Sequence, residues 1–177
     1  LSDLGKTYDT VGKKRTFTTA DGRSAEVSGG TYGWEIDEQK ELNQLTEEIQ
    51  EGKKETRTPA YCEGKTAVTH DTPDWGNTYA EVDLTRQYMW YVEDGDVKLE
   101  TDVVTGKPVD NRNTPEGVYS ILELMNGKTL VGEKNPDTGE PIYRTWVNYW
   151  MRITWTGVGF HDAVWQDRFG GDWYIEH

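Results

Sequence analysis

The sequence predicts a mainly β domain with a β-sandwich or barrel-like body, preceded by a small α+β domain. From Tyr79 onwards apolar and polar residues alternate over short segments, and turn signals interrupt these segments at intervals of about ten residues. Before Tyr79 the pattern is mixed and contains one hairpin and one amphipathic helix. We therefore expect residues 1–65 to form the end of an α+β domain, residues 66–78 to form a turn-rich linker, and residues 79–177 to form the β domain.

Composition narrows the classes of protein to which the chain can belong. The net charge of the 177 residues is −13, which argues against nucleic acid as a partner because phosphates are bound by clustered Lys and Arg. The mean hydropathy is −0.85, and no apolar run approaches the ~18 residues of a membrane span. The sequence opens at Leu1 without an initiator Met or a signal-peptide pattern, which predicts an internal piece of a longer protein.

The first 60 residues predict two elements with clear boundaries. Asp21-Gly22 predicts a hairpin between residues 15–19 and 23–27, because Asp-Gly readily adopts the positive φ of a tight turn. A helix is predicted from Asp37, its cap, to Glu51, before Gly52. On this helix we expect an apolar stripe to be buried and three acidic residues to stay in water: Leu42, Leu45 and Ile49, and Glu41, Glu47 and Glu48. Residues 56–61 are expected to return as a strand.

The second part of the chain predicts six short strands. The Glu93-Asp94-Gly95-Asp96 segment predicts a hairpin between the second and the third of them. The predicted strands cover residues 79–84, 87–92, 97–104, 118–122, 143–148 and 151–154.

His161 is the first candidate for chemistry. It follows Gly157-Val158-Gly159-Phe160, and five of the eight tryptophans lie between residues 146 and 173. Glycines allow a backbone to approach a substrate closely, and indoles exclude water, so the pattern suits a general base in a groove. The alternative is a hydrogen-bonded core histidine. The three histidines and the single cysteine lack metal-ligand spacing, so no metal site is expected.

Six groups of residues occur in an order that resembles the L,D-transpeptidases, the cysteine enzymes that cross-link bacterial peptidoglycan. The groups are YAEVDL (79–84) with QYMW (87–90), VVTG (103–106), NTPEGVY (113–119), YWM (149–151), GFHDA (159–163) and FGG (169–171). In addition, GGTYGW at residues 29–34 resembles the end of the α+β peptidoglycan-binding domain that precedes the catalytic domain in some members. A generic α+β spacer is the alternative for residues 1–65.

The resemblance implies roles for particular residues. It makes His161 the imidazole that takes the proton of a cysteine thiol and later returns it to the leaving amine. Asp162 or a backbone carbonyl would orient the ring. The groove for the stem peptide would be formed by Tyr149, Trp150, Met151, Gly159 and Phe160. In such a site core packing is the alternative role for the aromatic residues. No cofactor is implied.

The resemblance also implies where the nucleophile lies. In the family a Ser-His-Gly-Cys signature follows the Gly170-Gly171 turn, so we expect the nucleophile beyond His177 and expect residues 1–177 alone to be inactive. Cys62 is far upstream and is expected to be structural or incidental. His177 lies beside the expected signature and is not expected to be catalytic.

Two functions therefore compete. The first is a peptidoglycan L,D-transpeptidase that attacks the bond between the third and fourth residues of a tetrapeptide donor, releases D-alanine and passes the acyl group to a side-chain amine. The resemblance implies stem peptides as partners, carbapenems as inhibitors, and a place outside the cytoplasm, in the wall or on the membrane-anchored surface of a Gram-positive bacterium. The second is a non-catalytic module that binds the cell wall through the tryptophan-rich groove.

Overall fold

The computed structural model describes residues 1–109 and 112–176, and within them the chain is mainly β, as predicted. In chain order the elements are α1 (Ser2–Tyr8), β1 (Gly12–Thr18), β2 (Ser24–Gly29), α2 (Glu38–Glu51), β3 (Tyr79–Asp83), β4 (Tyr88–Glu93), β5 (Asp96–Asp102), β6 (Glu123–Val131), β7 (Arg144–Arg152), β8 (Gly159–His161) and α3 (Trp173–Glu176). The strands form three antiparallel sheets, ordered β1-β2, β3-β4-β5 and β6-β7-β8.

The predicted hairpin around Asp21-Gly22 is present. Strands β1 and β2 pair from Thr18 opposite Ser24, and Gly22 has the positive φ of 84° that the turn requires. The carboxylate of Asp21 accepts hydrogen bonds from the Thr19 hydroxyl at 2.6 Å and from Arg23 Nε at 2.9 Å. These local bonds hold the pKa of Asp21 below its usual range, Thr19 contributing most.

Helix α2 begins and ends where its caps predict. The side chain of Asp37 accepts a hydrogen bond from the backbone N–H of Lys40 at 3.0 Å, and Gly52 adopts the left-handed conformation with φ 67°. Glu47 is exposed as predicted and Leu45 is half-buried, but the predicted burial is wrong at Glu41, Leu42 and Ile49. Glu41 is only 7% exposed, whereas Leu42 is 49% and Ile49 is 77% exposed.

Arg57 explains why the acidic face of α2 is covered. Its guanidinium bonds both oxygens of Glu41, at 2.9 and 3.0 Å, and Glu48 Oε1 at 2.6 Å. Glu41 also accepts from the backbone N–H of Ala60 at 2.8 Å. Residues 57–60 therefore run against the helix and not along a sheet. The strand predicted for residues 56–61 is reduced to one bridge, between Ile36 and Tyr61.

The predicted linker at residues 66–78 forms no helix or strand, but it packs against the N-terminal region. Asp74 is 3% exposed. Its carboxylate receives two hydrogen bonds from Arg15, at 2.7 and 3.0 Å, and one from the Thr10 hydroxyl at 2.6 Å. The ring of Trp75 meets Phe17 edge-on at 5.2 Å. A buried bidentate ion pair and an aromatic contact thus hold this segment to strand β1.

Strand β3 faces the N-terminal hairpin with its polar residues. Glu81 Oε2 accepts from the Ala20 backbone N–H at 3.0 Å, and Asp83 accepts from Arg23 at 2.9 Å. Ala80, on the apolar side of the alternation in this strand, is exposed. Glu81 is half-buried, and this burial raises the pKa of its carboxyl group. Both sides of β3 are thus partly covered, since Val82 on the apolar side is also half-buried.

After residue 79, the strands lie where they were predicted only where a tight turn joins them. Strands β4 and β5 are joined through Asp94 and Gly95, both at positive φ, as predicted. The two strands predicted at residues 143–148 and 151–154 are one strand, β7, because pairing with β6 continues through it. Residues 118–122 are not a strand and make one bridge, between Val118 and Gly30. Strands β6 and β8 were not predicted.

Candidate active site

The ladder between β7 and β8 brings several of the predicted site residues together. Trp150 pairs with His161, Met151 pairs with Phe160, and Arg152 pairs with Gly159. Gly159 has no room for a side chain, because a Cβ there would lie 3.0 Å from the Trp150 ring and closer still to the backbone of β7. This glycine therefore lets β8 approach β7 closely enough to place the imidazole beside the indole of Trp150.

His161 is an exposed residue held at two points. Its Nδ1 lies 2.9 Å from the backbone oxygen of Asp162. A carbonyl oxygen only accepts hydrogen bonds, so this contact places the proton on Nδ1 and leaves a lone pair on Nε2. The imidazole lies between Trp150 and Trp165, with ring centroids 6.1 and 5.8 Å away and nearly parallel planes. The two indoles flank the ring but do not enclose it, so the expected water-excluding shell is open here.

Asp162 does not contact the imidazole through its carboxylate. The carboxylate accepts from the backbone N–H groups of Asn148 and Tyr149, at 2.8 and 2.9 Å, and from the Asn148 amide at 2.8 Å. These bonds lower the pKa of Asp162, the Tyr149 N–H contributing most. Of the two groups that could orient His161, the structure uses the backbone carbonyl. The side chain of Asp162 holds β7 instead.

An open groove of about 250 Å³ lies along β6 and β7. The predicted residues Tyr149, Trp150 and Met151 line it, together with three residues that the sequence did not indicate: Leu124, Met125 and Asn126. Gly159 and Phe160, which were also predicted for the groove, do not line it. They pair with Arg152 and Met151 in the ladder between β7 and β8. The groove is mainly apolar, and Leu124, Met125 and Tyr149 are exposed along it, whereas Trp150 is only 4% exposed and forms its floor.

Glu123, Lys128 and Arg152 form a charged cluster around Trp150. One oxygen of Glu123 accepts from Lys128 Nζ at 2.9 Å, from Arg152 Nε at 3.0 Å and from Trp150 Nε1 at 3.0 Å. The pKa of Glu123 is lowered, Lys128 contributing most. Lys128 Nζ also lies 5.2 Å from the centroid of the Trp150 ring. This cluster was not predicted, because β6, which supplies Glu123 and Lys128, was not predicted as a strand.

The Gly170-Gly171 turn is tied to the end of β5. The N–H of Gly170 donates to the Val103 carbonyl at 2.9 Å, and the N–H of Val103 donates to the Gln87 carbonyl at 2.9 Å. Gln87 is fully buried and has a positive φ of 54°. Its side-chain amide bonds Thr105 Oγ1 at 2.8 Å and the Leu84 carbonyl at 2.6 Å. This buried amide fixes the segment on which the turn rests.

The remaining candidates lie away from this site or outside the described residues. Cys62 follows α2 in the N-terminal half, and burial raises the pKa of its thiol, which disfavours the nucleophilic thiolate. His177 lies outside the described residues. Within residues 1–109 and 112–176, no group of three or more His, Cys, Asp or Glu could hold a metal ion.

Comparison with known proteins assigns both parts of the chain. Residues 77–176 match the family YkuD, the L,D-transpeptidase catalytic domain. The chain belongs to the L,D-transpeptidase family. Residues 1–57 match the family PG_binding_4, described as "Putative peptidoglycan binding domain". No curated protein matches the chain.

Three solved structures show the extent of the similarity. A Cys-to-Ser mutant of the Enterococcus faecium L,D-transpeptidase is 41% identical with a TM-score of 0.79, and the match covers 99% of this chain and 67% of that one. The carbamoyl enzyme that Ldtfm forms with avibactam is 43% identical with a TM-score of 0.78, covering 98% and 64%. The catalytic domain of the E. faecium L,D-transpeptidase acylated by ertapenem is 51% identical with a TM-score of 0.47, covering 56% and 74%. The chain thus spans about two thirds of the length of the first two.

The family assignment sets the general activity. Members of this family are acyltransferases, and the matched domains support a function in the cross-linking of peptidoglycan. Both domains are associated with peptidoglycan, which implies action outside the cytoplasm, at the cell wall. In the part of the chain that the structure describes, no helix has the length and apolar character needed to cross a membrane.

Proposed function

We propose that the full-length protein cross-links peptidoglycan stem peptides through a cysteine acyl-enzyme, with His161 as its general base. The observation that carries this proposal is the exposed imidazole at the end of β8. Its Nδ1 donates to the Asp162 carbonyl, so Nε2 of this exposed ring keeps a free lone pair. A base needs this tautomer and this access to take a proton from a thiol.

The nucleophile in this proposal is a cysteine that follows His177. Cys62 is a poor candidate because burial raises the pKa of its thiol. Two similar enzymes are longer than this chain, and one of them was solved as a Cys-to-Ser mutant. Because Gly170 is fixed to Val103, a segment that follows the turn starts from a defined position. On this proposal residues 1–177 alone are inactive.

The proposed reaction has two acyl-transfer steps. His161 Nε2 takes the thiol proton, and the thiolate attacks the carbonyl carbon of the third residue of a tetrapeptide. The C–N bond to the fourth residue breaks, and the imidazolium returns the proton to the leaving amine of D-alanine. A side-chain amine of a second stem peptide then attacks the thioester, His161 Nε2 takes the proton that this amine loses, and the sulfur leaves as thiolate, which recovers that proton to restore the thiol.

The groove on β6 and β7 would hold the stem peptide. Tyr149 and Met151 supply aromatic and apolar surface, and the buried Trp150 connects the groove to the base by its contact with His161. Gly159 and Phe160 contribute indirectly by holding β8 against β7. The match of residues 1–57 supports a second contact with the wall through the N-terminal region, with the domain boundary within residues 66–78.

β-Lactams of the carbapenem class are the proposed inhibitors, and a Gram-positive cell surface is the proposed location. The similar enzymes support both statements, since one is from E. faecium and related structures carry ertapenem or avibactam on the enzyme. A non-catalytic module that binds the wall is the second candidate function. The peptidoglycan-binding match supports it, because that match does not depend on catalysis.

Acylation of the full-length protein by ertapenem separates these functions. We expect intact-protein mass spectrometry to show one adduct, and peptide mapping to place it on a cysteine beyond His177. A Cys62→Ala variant should acylate at the wild-type rate. An adduct on Cys62 would show that the nucleophile is misassigned. The absence of an adduct, together with pull-down on isolated peptidoglycan, would establish the binding module.

A further inference from the structure

Two cations of the cluster around Trp150 share one carboxylate. Lys128 and Arg152 both donate to the same oxygen of Glu123, at 2.9 and 3.0 Å. Among the residues that the structure describes, Glu123 is the one carboxylate paired with either of them. The cluster therefore carries an excess positive charge, although the net charge of the whole chain is −13.

The excess charge lies beside the groove, and one of its two cations, Lys128, contacts the same indole as the base. Lys128 Nζ is 5.2 Å from the centroid of the Trp150 ring, and the imidazole of His161 is 6.1 Å from it. Lys128 also lies 3.6 Å from the sulfur of Met125, which lines the groove. The side chains of Lys128 and Arg152 are each 21% exposed, so water screens them less than it screens a surface cation.

We infer that Lys128 and Arg152 bind the free carboxylate of the donor's terminal D-alanine, and that this contact selects donors that end at the fourth residue. The inference rests on the proposed function, in which the bond before that residue is cleaved. Its carboxylate is then about one residue, roughly 3.5 Å of chain, beyond the attacked carbonyl. A cationic group one indole away from the base is placed to receive it. Ammonium and guanidinium groups form charge-assisted hydrogen bonds to carboxylates.

A purely structural role makes a different prediction. If Lys128 and Arg152 serve only to hold Glu123 and Trp150 in place, their loss affects every donor equally. If they bind the terminal carboxylate, their loss affects only donors that have one. The preference for a carboxylate over a neutral amide at the same position therefore separates the two roles.

The test uses full-length protein and two synthetic donors, a tetrapeptide ending in D-alanine and the same peptide ending in D-alaninamide. The carboxylate preference is the ratio of kcat/KM for the two. We expect Lys128→Met and Arg152→Gln each to lower this ratio by roughly 10-fold to 100-fold, and to leave cleavage of the amide donor nearly unchanged. The methionine keeps most of the aliphatic packing on Trp150.

Glu123→Gln gives a prediction of the opposite sign. The glutamine carbonyl can still accept from the Trp150 indole, but the two cations are no longer neutralised. We expect the carboxylate preference of this variant to rise above that of the wild type. Damage to the site would lower the rate with both donors and could not raise the ratio. Lys98→Met is the matched control, since Lys98 pairs with Asp96 on β5 and does not belong to the cluster.

The outcomes also distinguish the inference from the function on which it rests. Equal wild-type rates with the two donors would overturn the carboxylate site but leave the transpeptidase proposal intact. A ratio that stays constant while both rates fall in the variants would also overturn the site. If the wild-type protein cleaves neither donor and is not acylated by ertapenem, the proposed function fails and the inference fails with it.

Discussion

Arg15 and Arg57 in the N-terminal region and the cations around Trp150 differ in how completely their charge is matched. Arg15 meets both oxygens of Asp74, and Arg57 meets Glu41 and Glu48 together. Lys128 and Arg152 instead share Glu123. A cation whose charge is fully matched holds segments of the chain together and has no hydrogen-bond donor left for a ligand. A cation that shares its carboxylate with another cation keeps donors that can bind a ligand.

This difference shows that the two regions are held in place by different kinds of interaction. In the N-terminal region, side-chain ion pairs join segments that are far apart in the sequence, such as Arg15 and Asp74. Around His161 the order comes from backbone pairing and stacked rings, and the polar groups at the surface stay available. The comparison predicts that mutations in the first region lower stability, whereas mutations in the second lower activity.

The largest effect is expected for His161→Gln in the full-length protein. General-base assistance is worth roughly 10²-fold to 10⁴-fold in rate, so the acylation rate with ertapenem should fall by about that factor. Because His161 is exposed, the melting temperature should stay close to that of the wild type. A variant that melts early, yet whose folded fraction is acylated at the wild-type rate, would show that the histidine is structural.

Asp74→Ala should have the largest effect on stability. It leaves Arg15, which is 4% exposed, without its carboxylate, and breaking a buried pair in this way costs about 3–5 kcal/mol. The free energy of unfolding, measured with urea, gives this cost. Glu26→Ala breaks the exposed pair with Lys14 and is the matched control, expected to cost less than about 1 kcal/mol. Equal losses in the two variants would contradict the distinction between matched buried pairs and surface pairs.

Glu41 should make stability depend on pH. Arg57 holds the pKa of Glu41 below its usual range, so the pair stabilises the fold above the unfolded pKa of about 4.3 and loses this effect as the pH falls through the lower folded pKa. We expect Glu41→Gln to lower the melting temperature at pH 7 and to flatten its decrease below about pH 4.5. Parallel melting curves for wild type and variant across this range would mean that the pair does not stabilise the fold.

The smallest effect is expected for Ile49→Ala. The side chain is 77% exposed on α2, so its removal should change the free energy of unfolding by no more than about 0.5 kcal/mol beyond the small gain in helix propensity. Urea unfolding checks this value. A loss of 2 kcal/mol or more, the usual size for a buried apolar side chain, would restore the buried apolar stripe that the sequence predicted.

The parts of the fold that follow from local chemistry were predictable. The caps of α2 and the Asp21-Gly22 and Asp94-Gly95 turns depend on a few neighbouring residues, and each is where the sequence placed it. The buried face of α2 was not predictable from the helix alone. Its cover is Arg57, which lies beyond the helix, and a carboxylate with such a partner can be buried although its residue type is usually exposed.

The candidate site shows the same division. His161, Trp150 and the turn at Gly170 could be chosen from the sequence because they occur in recognisable groups of residues. Glu123 and Lys128 could not, because β6 carries no regular alternation: Leu124 and Met125 are both exposed, and Gly127 interrupts the strand with a φ of 82°. The role of the Asp162 carboxylate also depends on pairing across β7 and β8, which a single sequence does not display.

The position of Asp74 has a consequence for how such proteins can be recombined. The peptidoglycan-binding match ends at residue 57 and the catalytic match begins at residue 77, so neither contains this aspartate. Its carboxylate nevertheless neutralises Arg15 in the first module. A gene fusion that exchanges the first module with a junction before Asp74 would separate an arginine from its counterion. The unit that can be exchanged between relatives therefore includes the N-terminal module together with the connecting segment that contains Asp74. Such an exchange is tolerated best when the junction falls after this segment.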